Sequence, residues 1–131
     1  MSIRPGGSGN VSESHINWHV TDAKSYVPSP VVCNGLLFVA DDRGIANCYD
    51  TESGERLWRE RLGRHFSASL IAVGEFIFFT SDEGTTKILR ASRDSELMET
   101  NELGEFVFAS PAISNGQLFI RGDKHLFCIG Q

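Results

Sequence analysis

Four histidines, His15, His19, His65 and His125, and three cysteines, Cys33, Cys48 and Cys128, are the side chains with which this chain could bind a metal or run acid–base chemistry. Spacing argues against each role. His15 and His19 would share a face only on a helix, and their surroundings read as extended chain. His65 and His125 lie far apart in the sequence. No C-x-x-C pair offers zinc or redox chemistry, and no serine stands in a Gly-x-Ser-x-Gly setting that would activate it. Arg121-Gly122-Asp123 spells a cell-adhesion tripeptide, but it falls where related segments carry a turn, and turn chemistry explains it. The expectation is therefore no catalytic residue, no metal ligand and no cofactor.

The elements that would position any site are set by an internal repeat, which outranks every local signal. Ser29-Pro30-Val31-Val32-Cys33-Asn34-Gly35-Leu36-Leu37-Phe38-Val39 returns as Ser110-Pro111-Ala112-Ile113-Ser114-Asn115-Gly116-Gln117-Leu118-Phe119-Ile120. A decayed copy, Ser69 to Phe79, lies between them, its glycine one residue early. Trp18 recurs as Trp58, Leu62-Gly63 as Leu103-Gly104, and Tyr26, Phe66 and Phe106 share one phase. The period is about 40 residues, within the range of repeat architectures. Cys48 and Cys128 share a phase that Ile88 fills in the middle unit; a place that takes Cys or Ile is a packing position.

Within a period, apolar runs rich in Val, Ile and Phe are cut by Asn34-Gly35, Asp42-Arg43-Gly44 and Glu52-Ser53-Gly54, then by Asp82-Glu83-Gly84 and Asn115-Gly116. These are turns that need positive φ, so each unit reads as four short strands. The first unit predicts strands over Ser29–Cys33, Leu36–Ala40, Ile45–Asp50 and Arg56–Leu62. Ser92–Thr100 is polar enough to mimic a helix, yet it occupies the phase of a turn and a fourth strand. Four strands per unit of this length make the blade of a β-propeller. The fold class is all-β: about three four-stranded antiparallel blades forming an incomplete ring.

Residues 1–14, rich in Gly and Ser, read as a flexible lead-in, and residues 15–131 as the propeller segment, with units over 26–65, 66–105 and 106–131. Residues 16–20 read as an orphan outer strand, and His125–Ile129 as a third strand without a fourth. Two arrangements would complete such an arc. The remaining blades could belong to a longer parent chain, or two copies could join head to tail as a homodimer.

Composition is that of an ordinary globular domain, 40% hydrophobic and 22% charged over 131 residues. No apolar run is long enough for a transmembrane segment, and the first ten residues lack the apolar core of a secretory signal. A net charge of −5 with scattered basic residues argues against nucleic acid as a partner. Arg56, Arg59, Arg61 and Arg64 cluster, but alternation along a strand divides them between two faces.

The units resemble the pyrroloquinoline-quinone-type (PQQ-like) propeller repeat. The features that carry the resemblance are Ser29-Pro30, Gly35, Phe38, Asp42-Arg43-Gly44, Asp50-Thr51-Glu52-Ser53-Gly54 and Trp58, repeated in phase over residues 16–131. The resemblance implies that Trp18 and Trp58 sit on outermost strands and dock between blades. The middle unit departs from the pattern: Leu70 replaces the proline, Arg93-Asp94-Ser95 fills the glycine turn, and Glu99 stands at the tryptophan phase. That unit should keep the fold and lose one anchor between blades. The WD-repeat has a similar period, but its Gly-His and Trp-Asp dipeptides are absent.

Enzymes of this resemblance are quinone-dependent oxidoreductases with an adjacent Cys-Cys pair, calcium ligands and a catalytic aspartate, none of which is recognisable here. The resemblance also extends to outer-membrane-protein assembly lipoproteins and scaffold propellers. It implies a non-enzymatic surface for a protein or peptide partner, periplasmic or extracellular if a parent chain carries a signal. The alternative is part of a PQQ-dependent oxidoreductase whose cofactor site lies in other blades. In propellers the loops approaching each first strand and the turns between second and third strands gather on one face. That face would present Tyr26, Asp42, Arg43, His65, Phe66, Asp82, Glu83, Phe106 and Lys124, aromatics among mixed charges. The competing reading makes the three aromatics wedges between blades.

Overall fold

The computed structural model describes residues 1–130 and contains strands and turns, with no helix among them. Blade I comprises β3 (Val31–Cys33), β4 (Leu36–Ala40), β5 (Ile45–Asp50) and β6 (Arg56–Arg61). Blade II comprises β7 (Ile71–Val73), β8 (Phe76–Thr80), β9 (Thr85–Arg90) and β10 (Leu97–Glu102). Blade III comprises β11 (Ala112–Ser114), β12 (Gln117–Arg121) and β13 (Leu126–Ile129). Each blade is an antiparallel meander in sequence order. The turn residues account for that order. Asn34 and Gly35 have φ of 52° and 72°, and Asn115 and Gly116 have 51° and 75°, as a two-residue hairpin with both centres left-handed requires. In blade II, Val73 pairs with Phe76 around Gly74-Glu75, and of these two only Gly74 is left-handed. The early glycine of the decayed copy is therefore a change of turn type with no residue deleted.

The outer strand that the sequence leaves as an orphan has a partner. Ser2–Ile3 forms a strand, β1, antiparallel to β2 (Ile16–Trp18), with Ser2 opposite Trp18 and Ile3 opposite Ile16. Arg4 N–H adds a bond to the His15 carbonyl at 2.8 Å. Glycine-rich composition concealed this strand, because two residues are too few to carry a period.

Side chains directly opposite each other on neighbouring strands share a face, so register defines rows across each blade. Phe38, Cys48 and Trp58 form one row of blade I and face blade II. Phe38 and Cys48 are fully buried, and the Trp58 ring lies 6.0 Å from that of Phe38. Ile77, Phe79 and Leu89 meet them from blade II and are likewise buried, making this interface the main core. The matching row of blade II is Phe78, Ile88 and Glu99. Here Phe78 and Ile88 are only half-buried and Glu99 is exposed. The anchor expected to be missing from the middle unit leaves the interface with blade III less filled.

At the inner rim, the serines of the repeat form a ladder between blades. Ser29 N–H donates to Ser69 Oγ at 3.0 Å, and Ser69 N–H donates to Ser110 Oγ at 2.9 Å. Leu70, in the proline position, donates its N–H to the Ser29 carbonyl at 3.4 Å, a bond that proline could not make.

Candidate binding face

The approach loops and the turns between second and third strands are tied together by carboxylates. Asp42 Oδ1 accepts the N–H groups of Tyr26 and Val27 at 3.0 and 3.1 Å, fixing the loop into blade I. Asp82 does the same for blade II, taking Ser67 N–H at 2.7 Å and Ser67 Oγ–H at 3.1 Å. Main-chain bonds reinforce this. Asp82 N–H to the His65 carbonyl and Asp123 N–H to the Phe106 carbonyl tie the loops into blades II and III to the turns of those blades. Val107 N–H to the Asp82 carbonyl joins the loop into blade III to blade II. The His65 ring Nδ1 lies 3.0 Å from the Asp42 carbonyl, linking the second loop to the first turn.

Each turn also needs an acceptor for its own N–H groups. In blade I the buried Asp41 supplies it, with Oδ1 accepting from Arg43 N–H at 2.9 Å and Ile45 N–H at 3.0 Å. In blade III, Gly122 stands at the Asp41 register and has no side chain. Glu105 reaches in from the approach loop instead. Its Oε2 accepts from Lys124 N–H at 2.6 Å and His125 N–H at 3.2 Å, and its Oε1 lies 2.8 Å from His125 Nδ1. A Cβ on Gly122 would stand 2.7 Å from that carboxyl group, so the exchange of side chains is mutually required. The Lys124 N–H, followed by the His125 ring, holds the Glu105 carboxyl below the usual carboxylate range. The Arg-Gly-Asp tripeptide is thus part of a capped turn, its glycine buried beneath Glu105.

The three in-phase aromatics have different fates. Phe66 is 1% exposed and packs 6.3 Å from Phe79 between blades I and II, so it is a wedge and not part of the open face. Tyr26 is 90% exposed and Phe106 57% exposed. Phe106 stacks on Phe108 at 6.2 Å with ring planes 8° apart, and Phe108 is equally open. The sequence reading missed Phe108; its signal is an aromatic where the earlier units place Pro28 and Ala68, both buried. Glu83, Asp123 and Lys124 join Phe106 and Glu105 in lining a shallow depression of about 410 Å³. Asp42, Asp82 and Glu83 are partly shielded, whereas Arg43, His65 and Lys124 are exposed. The face therefore offers exposed aromatics and cations on a frame whose carboxylates are mostly engaged in holding loops.

The outer anchors also differ. Trp18 donates its indole N–H to the Thr51 carbonyl at 2.8 Å and lies over Gly54, where a Cβ would come within 2.6 Å of the ring. The Trp58 Nε1 is buried with no acceptor among the described residues. Cys48 is buried, and burial pushes its thiol up to about 12; Cys33 is half-buried and Cys128 exposed. On the opposite side of the blades, Asp50 accepts from the N–H groups of Ser53 and Glu52 and pairs with Arg93 of blade II at 2.7 Å. The Ser53 N–H, then Arg93, then the Glu52 N–H place its carboxyl far below the usual range.

The family model described as outer membrane protein assembly factor BamB matches residues 15–97 and 43–129. A BamB from Alkalilimnicola ehrlichii is 41% identical over 46 residues, 35% of this chain and 12% of that protein. A BamB from Burkholderia pseudomallei is 26% identical over 96 residues, 73% of this chain and 25% of that protein. The chain thus spans a quarter or less of the length of these curated relatives. Among solved structures, BamB from Moraxella catarrhalis superposes with a TM-score of 0.74 at 16% identity, over 87% of this chain and 36% of that one. A europium-containing methanol dehydrogenase superposes with a TM-score of 0.57 at 12% identity, over 74% of this chain and 20% of that one. With the repeat, the three blades and the family match in agreement, this chain belongs to the outer membrane protein assembly factor BamB family and is built of its PQQ-like β-propeller repeat.

Proposed function

We propose that this chain supplies a non-enzymatic scaffold surface that binds a protein or peptide partner through the face carrying Tyr26, Phe106 and Phe108. The observation behind this reading is that the loops bearing these rings are held by Asp42 and Glu105 while the rings stay open to solvent. Rigid aromatic anchors lose little conformational entropy on binding, and Arg43, His65 and Lys124 supply a polar rim. The relatives are named for outer membrane protein assembly, and the same setting, in the periplasm, is proposed for this chain. The methanol dehydrogenase shares the fold at 12% identity, which carries no argument for its chemistry here.

Site-specific photo-crosslinking tests the reading. A benzoylphenylalanine placed at Tyr26 or Phe106 is expected to give a discrete adduct in cells, which the variant carrying alanine at Arg43, Phe108 and Lys124 loses while keeping its melting temperature. Adducts that form only from positions away from this face would overturn the assignment.

A further inference from the structure

We infer that the cleft between blades II and III is a second docking surface, which receives an aromatic side chain of a partner protein carried on a basic, extended segment. The inference concerns a different surface from the face above and does not rest on it. Its basis is the comparison of successive interfaces. Between blades I and II, the Phe38–Cys48 row ends in Trp58, whose ring covers Phe38. Between blades II and III, the Phe78–Ile88 row ends in Glu99, which is exposed and has no ring to cover Phe78. The space left open is a cleft of about 360 Å³ lined by Phe78, Ile88 and Leu103 on one side and Leu118, Ile120 and Ile129 on the other. Its apolar walls are those an indole would cover, and none of the described residues supplies one there.

Charge at the mouth selects the occupant. From Asp94 to Glu105 the sequence carries five carboxylates and no Lys, Arg or His. Glu96 pairs with Arg90 and Glu105 with His125, but Glu99 and Glu102 have no ion-pair partner among the described residues. Both lie on β10, the outer strand of its sheet, exposed along its whole length with one edge unpaired. A partner strand can add to such an edge through main-chain bonds, send an aromatic side chain into the cleft and set Lys or Arg against Glu99 and Glu102.

The probe is a synthetic peptide, acetyl-Lys-Lys-Trp-Lys-Lys-amide, titrated into the full chain and followed by backbone amide NMR. Saturable shifts are expected at Ile88, Asn101, Leu103, Leu118 and Ile120, weakening as salt is raised. They should be lost when the peptide tryptophan becomes alanine. Glu99→Trp, which fills the cleft from within, should raise the melting temperature and abolish peptide binding. Should that variant fail to fold, Glu99→Gln with Glu102→Gln alters only exposed carboxylates; it should weaken binding and flatten its salt dependence. Alanine variants of Tyr26 and Phe106 should leave this binding intact. Equal binding of the alanine peptide, or unchanged binding to either Glu99 variant, would overturn the inference. Concentration-dependent shifts of the same residues without peptide would also overturn it, since they would give the cleft to a second copy.

Discussion

The indole N–H of Trp18 donates to the carbonyl of Thr51 at 2.8 Å, while the indole Nε1 of Trp58, one repeat later, is buried with no acceptor among the described residues. The counterpart of Thr51 is Ala91: each donates its N–H back to a residue of the β-hairpin turn, Gly35 or Glu75. The Ala91 carbonyl instead faces Asn34 Nδ2 at 3.5 Å, and the turn that should meet Trp58 is one residue longer. The second tryptophan therefore keeps its packing and loses its polar tether.

This difference makes the two tryptophans respond oppositely to phenylalanine. Trp18→Phe should cost about 0.5–1.5 kcal/mol, the net worth of a hydrogen bond. Trp58→Phe should be neutral or slightly stabilising, because it removes a buried donor that has no partner among the described residues. Trp58→Ala should still cost about 2–3 kcal/mol, below the range for a fully buried aromatic because the residue is only half-buried. Urea unfolding of the three variants checks the order, and a Trp58→Phe loss as large as that of Trp18→Phe would refute it.

Much of the fold was legible because the repeat reinforces every local signal. Leu36–Ala40 and Ile45–Asp50 form strands with the bounds the turns predict. The first strand begins later than the apolar pattern suggests, at Val31, because Ser29 and Pro30 belong to the rim between blades. Phase also located the approach loops. It could not separate Phe66 from Tyr26 and Phe106, since in-phase residues differ only in whether a neighbouring blade covers them. Glu105 was illegible for a related reason. It compensates for a side chain absent at Gly122, and no spacing within one strand records that substitution.

The thiols should react in the order of their burial. Cys48 is fully buried and its thiol is raised to about 12 by burial, so almost no thiolate forms near neutral pH. Iodoacetamide at pH 8 should label exposed Cys128 first and Cys48 only in denaturant. Raised above its ordinary value of 9.0, the Cys48 thiol contributes stability that is full below about 9 and is lost as pH climbs toward about 12. Mass-mapped labelling of native Cys48 at the rate of Cys128 would contradict this packing.

Acid should loosen the two capped turns. The carboxyls of Glu105 and Asp50 are both held below their unfolded values, so each contributes stability above about pH 4, the unfolded range, that is lost as pH falls through the folded value. Glu105→Gln and Asp50→Asn should each flatten the decline of stability between about pH 5 and pH 2. The amides of Lys124 and His125 should also lose exchange protection in the first variant, and those of Glu52 and Ser53 in the second. An unchanged acid limb in both variants would show that other carboxylates control the transition.

The serine ladder should behave as separate bonds between blades. Ser69 takes part twice, through Oγ toward Ser29 N–H and through its own N–H toward Ser110 Oγ. Ser69→Ala removes only the first bond and Ser110→Ala only the second. Each should cost about 0.5–1.5 kcal/mol, less where water replaces the lost partner. Because the two bonds use different atoms, the double variant should be additive to within about 0.5 kcal/mol. Amide exchange distinguishes them further. Ser69→Ala should speed exchange at Ser29 and leave Ser69 protected, and Ser110→Ala should do the reverse. The Ser29 carbonyl keeps its 3.4 Å bond from Leu70 N–H in either case, so the rim should loosen without the blades separating. A loss well beyond the sum in the double variant would mean that the ladder acts cooperatively, and that the repeated serine fixes the spacing of the blades.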